Sequence, residues 1–182
     1  MVARRVLTHK FKLVALGAGG VGKTSCIKRF TDRSFSENYK ATIGTTIAMK
    51  TVDVDMPNGE HISADVVFWD LAGQTRFSML RRRYMAGASM AFIVYDVTRP
   101  GTFIEITEWY DRFIAVCPNA VVAIVANKID RKDRFVPPEA GEMTKEMWNA
   151  MYYETSAKTG DNIDLMFKDL VKRAIKADAL KA

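Results

Sequence analysis

The segment Gly17-Ala18-Gly19-Gly20-Val21-Gly22-Lys23-Thr24 constrains the fold of this chain more than any other. It follows an apolar run, Phe11 to Leu16, and leads into a helix-compatible stretch, Lys23 to Phe30, so it reads as strand, turn and helix in that order. Glycines let successive backbone N–H groups point inward, and the helix behind them adds its positive N-terminal end to the same anion site. In that setting Lys23 would sit on the β- and γ-phosphates of a nucleotide and the Thr24 hydroxyl would ligate Mg²⁺.

The rest of the chain repeats the alternation of short apolar runs with amphipathic helical stretches, the signature of a mostly parallel sheet flanked by helices. Val52, Val54 and Met56 alternate with polar residues, Pro57-Asn58-Gly59 turns the chain, and Ile62, Ala64, Val66 and Phe68 resume the alternation. These two strands read as a hairpin, hence one antiparallel edge pair. Met90 to Tyr95 and Val121 to Ala126 are near-continuous apolar runs, as strands buried on both faces are.

Helices are expected elsewhere. Thr102-Phe103-Ile104-Glu105 has the form of a capping box, with Phe103, Ile106, Tyr110, Phe113, Ile114 and Cys117 at helical spacing after it. Pro137-Pro138-Glu139 suits a helix start, and Ile163, Met166, Phe167, Leu170, Val171, Ala174 and Ile175 form the core stripe of a last helix. With 182 residues, no repeat and no linker of domain-joining length, the expectation is one domain over 1–182, with flexible ends at 1–10 and 178–182.

Hydrophobic residues make up 48% and charged residues 26%, a composition far from disorder, and no apolar run is long enough to span a bilayer. The net charge of +6 raises the question of nucleic acid, but acids interleave with the small basic clusters at Arg4-Arg5, Arg81-Arg82-Arg83 and Lys168 to Lys181. No specific nucleic acid is expected; weak attraction to an anionic membrane surface stays open. Cys26 and Cys117 lack metal-ligand spacing and read as packed, reduced thiols. His9 and His61 have no partner motif and read as surface histidines.

Three more motifs fall at the carboxyl ends of expected strands, where open α/β sheets collect ligands. Trp69-Asp70-Leu71-Ala72-Gly73-Gln74 ends an apolar run in an Asp that can hold Mg²⁺, Asn127-Lys128-Ile129-Asp130 follows a buried run, and Thr155-Ser156-Ala157-Lys158 follows a short strand near Tyr152.

With these motifs, and with Phe35 to Gly44, Trp69-Asp70, Tyr84 to Ala88 and Val94-Tyr95-Asp96-Val97-Thr98, the chain resembles a Ras-superfamily small GTPase over about Phe11 to Ala177, most similar to the Rab branch. The resemblance implies a P-loop NTPase fold: a six-stranded, mostly parallel sheet with one antiparallel edge strand, flanked by about five helices. It implies a GTP-binding switch that hydrolyses GTP, slow without an activating protein, with loops near 35–46 and 70–85 that bind effectors in the GTP state. The role implied is Rab-like, in membrane traffic or signalling, in the cytoplasm or peripheral to a membrane.

Residue by residue, the resemblance places Gly19, Gly20, Val21, Gly22, Lys23, Thr24 and Ser25 around the phosphates. Thr24, Thr42 and Asp70 would hold Mg²⁺, and Thr42 and Gly73 would hold the γ-phosphate. Phe35, Tyr39, Asn127, Lys128, Asp130, Ser156, Ala157 and Lys158 would surround the nucleoside, with Asp130 accepting from the guanine ring N–H and exocyclic amine, a donor pair adenine lacks, and the Ala157 N–H on the guanine oxygen. Gln74 would orient the attacking water, and Gly19 would leave room for an arginine from an activator. Arg76 and Arg81-Arg82-Arg83 invite the reading of an arginine finger in cis, but the plainer reading is surface charge on the second switch helix or partner contacts. A nucleotide-ordered scaffold that does not hydrolyse, and an ATPase or kinase, are the rival readings.

Departures from the family pattern fall on the switch surfaces: Leu71 replaces the usual Thr, Thr75 the usual Glu, and Thr45-Thr46 the usual Val-Asp. They point to effectors, exchange factors and activators of altered identity. No cysteine follows Cys117, so the sequence carries no prenylation site; truncation and the lack of a lipid anchor both account for that.

Overall fold

The computed structural model describes residues 9–36, 42, 44–71 and 78–180. In chain order the elements are β1 His9–Leu16, α1 Lys23–Asp32, β2 Thr45–Asp55, β3 His61–Leu71, α2 Ser78–Met85, β4 Met90–Asp96, α3 Pro100–Ile104, α4 Ile106–Ile114, β5 Val121–Asn127, α5 Pro138–Trp148, β6 Met151–Thr155 and α6 Ile163–Ala179. The strands form one sheet in the order β2-β3-β1-β4-β5-β6. Every neighbouring pair is parallel except β2 with β3, the expected hairpin. α3 and α4 are one helical arm interrupted at Glu105, which keeps right-handed helical angles, so the described residues form about five arms, as expected.

Alternation along the strands builds two cores. Leu13, Ala15, Phe92 and Val94 face α1 and α6, whereas Val14, Leu16, Ile93 and Tyr95 face α4 and α5 on the other side of the sheet. On the first face Phe167 of α6 packs its ring 4.6 Å from Phe30 of α1 and 5.3 Å from Phe92 of β4. Each such ring, fully buried, contributes about 2–3 kcal/mol. β4 and β5 are buried along their whole length, as their unbroken apolar runs require. The stripe expected for the last helix is the buried face of α6, residue for residue.

One expectation needs correction. The capping box at Thr102 does not start a helix: the helix begins two residues earlier at Pro100, whose fixed φ suits a first helical position, and Thr102 lies inside it. Its hydroxyl instead donates to the Arg99 carbonyl and accepts from the Asp96 N–H, tying α3 to the end of β4. The stripe expected after Glu105 packs on the core: Ile106, Phe113 and Cys117 are buried with Trp109, and Phe103, Tyr110 and Ile114 lie half-buried against them, Tyr110 stacked on Trp148 at 4.1 Å. Of the two histidines, His61 is exposed as expected and lies 2.8 Å from Asp55, and His9 is half-buried, 3.4 Å from Asp178.

β1 already begins at His9 and α6 continues to Ala179, so parts of the two ends expected to fray belong to regular elements. Both cysteines are buried and free. No helix among the described residues is long and apolar enough to cross a membrane.

Candidate functional site

Strand register brings the motifs together. Asp96 of β4 lies opposite Asn127 of β5, and Asn127 opposite Thr155 of β6, while Ala15 of β1 lies opposite Asp70 of β3. The carboxyl ends of five strands thus face one rim, and the loop 17–22 rises from its centre between β1 and α1.

Two glycines of that loop are dictated by space as well as by backbone angle. A Cβ at Gly17 (φ +129°) would meet the Val94 carbonyl oxygen at 2.2 Å, and one at Gly22 (φ +106°) would meet Asn127 Nδ2 at 2.2 Å. Gly19 differs: nothing among the described residues lies within 4 Å of a Cβ built there. Lys23 is buried and its Nζ donates to the carbonyls of Gly17 and Ala18, both at 2.8 Å, so the ammonium is held beneath the loop. Val21 is buried; Gly20, with φ +73°, completes the turn, and Ser25 lies half-buried in the first turn of α1.

Three oxygen-bearing side chains meet beside the loop. Thr24 Oγ1 donates to Asp70 Oδ2 and lies 2.9 Å from Thr42 Oγ1. Asp70 is 3% exposed, and its Oδ1 is buried with no hydrogen-bond partner among the described residues. Burial pushes its carboxyl above the usual carboxylate range, against the Thr24 hydrogen bond and the nearby Lys23 charge. An orphaned carboxylate oxygen next to two hydroxyls is a hard-oxygen donor set, and it fits a divalent cation such as Mg²⁺.

On the other side, Asn127 uses both ends of its amide. Nδ2 donates to the Val21 carbonyl at 2.8 Å, and Oδ1 accepts from the Thr155 hydroxyl and the Ala157 N–H, both at 3.2 Å. Ser156 Oγ donates to Asp130 Oδ1 at 2.6 Å, and the Asp130 side of this contact opens to solvent. Lys128 takes a left-handed conformation (φ +70°), and its Nζ reaches Asp96 Oδ2 at 2.6 Å. Phe35 is half-buried, and Lys158 is exposed at the end of its loop.

Tyr39, Gly73, Gln74, Thr75 and Arg76 lie outside the described residues. Arg82 and Arg83 of α2 are exposed, in keeping with surface charge. Of the described candidates, the structure brings the loop, Thr24, Thr42, Asp70, Asn127, Lys128, Asp130, Ser156 and Ala157 to the same rim. The Ala157 N–H, expected on a guanine oxygen, is engaged by Asn127.

Sequence reasoning missed a second tier of residues. Asp96, 2% exposed, is paired by Lys128 and by Arg99 Nε at 3.1 Å, and Arg99 Nη2 donates to the Gly19 carbonyl at 3.0 Å. Burial opposes ionisation of Asp96, but hydrogen bonds from Lys128 and Thr98 outweigh it and hold the carboxyl below its ordinary value. Arg29 of α1 was missed as well; its Nε donates to the Ala157 carbonyl at 2.8 Å. Asp96 sat in a quoted motif and Thr155 in another, but nothing in the spacing marked either arginine.

An anion-cradling loop and a divalent-cation donor set at the carboxyl rim of one mostly parallel sheet define a nucleotide-binding α/β domain of the P-loop class. A sequence profile of the Ras family matches residues 12–176. The chain is 35% identical over 171 residues to the Ras-related protein Rab-18-B of Danio rerio, covering 93% of this chain and 81% of that one. It is 37% identical over 167 residues to the Ras-related protein Rab-30 of Homo sapiens, covering 91% and 80%. The chain belongs to the Ras family. It is a Rab-like small GTPase, a GTP-binding switch that hydrolyses GTP to GDP and phosphate.

Proposed function

We propose that residues 1–182 form one G domain whose rim binds GTP and Mg²⁺ together. The observation that supports this reading is Asn127, whose amide ties the phosphate loop at Val21 to the 155–158 loop at Ala157. In this reading Lys23 leaves its two carbonyls to neutralise the β- and γ-phosphates, helped by the N–H groups of Gly19 to Ser25. Thr24, Thr42 and Asp70 hold Mg²⁺, which screens phosphate charge while bound.

Asp130, fixed by Ser156, accepts from the two guanine donors, and Phe35 and Lys128 flank the ring. The 3.2 Å bond from Ala157 N–H to Asn127 is long enough to be shared with a guanine oxygen in a three-centre arrangement. Tyr39 belongs to the residues that bind the nucleotide. Gln74 orients the attacking water, and Thr42 and Gly73 grip the γ-phosphate, so its loss releases both switch loops.

The protein works in the cytoplasm, with reversible contact at a membrane surface, and passes through effectors, an exchange factor and an activating protein. Asp130→Asn tests the base assignment. Preference should move from guanine toward xanthine nucleotides, because xanthine offers an acceptor where guanine offers an amine. Unchanged base preference contradicts the assignment.

A further inference from the structure

Arg29 stands on the sixth residue after Lys23, on the helix that follows the phosphate loop, yet its guanidinium reaches the base side of the site. Nε donates to the Ala157 carbonyl at 2.8 Å and Nη2 to the Lys158 carbonyl, so two adjacent peptide groups of the base loop are held by one planar fork. The same guanidinium lies 5.7 Å from the centre of the Phe35 ring. Gly160 lies beside it: a Cβ there would stand at ordinary contact distance, 3.7 Å, from Arg29 Cδ, and its φ of +94° is what favours glycine. Half-buried, Arg29 thus engages two carbonyls of the 155–158 loop and faces the ring of Phe35.

We propose that Arg29 is the positioning residue of the base pocket, and that it sets the preference for guanine over adenine without touching the nucleotide. This rests on the reading of Asp130 and Ala157 as base-facing groups. With the carbonyls of residues 157 and 158 pinned, the Ala157 N–H keeps a fixed direction, which suits the carbonyl oxygen of guanine and opposes the amino group that adenine carries at the same ring position. Without the fork, the loop turns, Phe35 loses its cation, and the N–H no longer discriminates. A lysine keeps the charge but offers one point donor in place of a fork, so it restores part of the effect.

The test is equilibrium competition of GDP and of ADP against fluorescent GDP, with Mg²⁺ present, on the full chain and on Arg29→Ala and Arg29→Lys. The GDP-to-ADP affinity ratio should fall about tenfold in Arg29→Ala, the size of one charge-assisted hydrogen-bond set, and less in Arg29→Lys. An equal loss of both affinities, which leaves the ratio intact, would show general loosening and overturn the proposal; so would an unchanged ratio with unchanged affinities. A starting protein that already fails to prefer GDP over ADP would instead overturn the base-pocket reading on which the proposal stands. Thermal unfolding of each variant reports separately on folding, and Arg29→Lys, which keeps the helix face and the charge, supplies the ratio if Arg29→Ala does not fold.

Discussion

Asn127 Nδ2 donates to the carbonyl of Val21 at 2.8 Å, joining the end of β5 to the phosphate loop across 106 positions of sequence. The amide is 1% exposed and its oxygen is used twice more, so removing it orphans buried groups on both loops. Asn127→Ala should lower stability by about 2–3 kcal/mol and weaken GDP binding by more than tenfold. Denaturant unfolding together with GDP titration checks both; a loss of stability alone would separate Asn127 from the nucleotide.

Asp96 gives a pH prediction. Its folded carboxyl is held below the ordinary value, so its pairing with Lys128 and Arg99 contributes in full above the usual carboxylate range and is lost as pH falls through it. Asp96→Asn should cost about 2 kcal/mol at pH 7, with the gap from the natural chain narrowing toward pH 3. Urea melts at both pH values measure it, and a gap independent of pH would contradict the assigned pairing.

Much of this architecture is legible in the sequence because it is local. The burial of β4 and β5 follows from their apolar runs, the face of α6 from its 3.6-residue period, and the β2-β3 hairpin from alternation around Pro57-Asn58-Gly59. The second tier is different. Arg29 reaches Ala157 across 128 positions and Arg99 reaches Gly19 across 80, contacts created by sheet order, and an arginine on a helix carries no mark distinguishing it from a solvated one. Thr102 misled for a related reason: its spacing to Glu105 matches a cap, but Pro100 starts the helix and the hydroxyl is used by Asp96 and Arg99.

Gly141 is a packing requirement away from the site. A Cβ there would stand 2.1 Å from Cε2 of Tyr152, whose hydroxyl lies 3.0 Å from Glu154 and 3.4 Å from Tyr95. Alanine improves helix propensity by about 1 kcal/mol, but forcing the ring aside costs about 2–3 kcal/mol. Gly141→Ala should therefore lower Tm by a few degrees, about 3 °C per kcal/mol. In a Tyr152→Leu background the same change should be neutral or stabilising; an additive double mutant would refute the clash.

Asp70 links stability to metal. Its carboxyl is raised by burial, so without a cation the ionised form weakens the folded state as pH rises above the usual carboxylate range. Asp70→Asn should leave the nucleotide-free protein as stable as the natural chain or more so. Chelating Mg²⁺ should speed GDP release from the natural chain about tenfold or more and have little effect on Asp70→Asn. Equal sensitivity to chelation in both would remove Asp70 from the cation site.

The most direct test of the switch is single-turnover phosphate release from protein loaded with GTP and Mg²⁺, for the natural chain and for Gln74→Leu. The account predicts slow release of one phosphate per protein from the natural chain, slowed about tenfold or more by Gln74→Leu, with GTP affinity kept within about threefold. Stable GTP binding without release, or release at the same rate from both proteins, would contradict it.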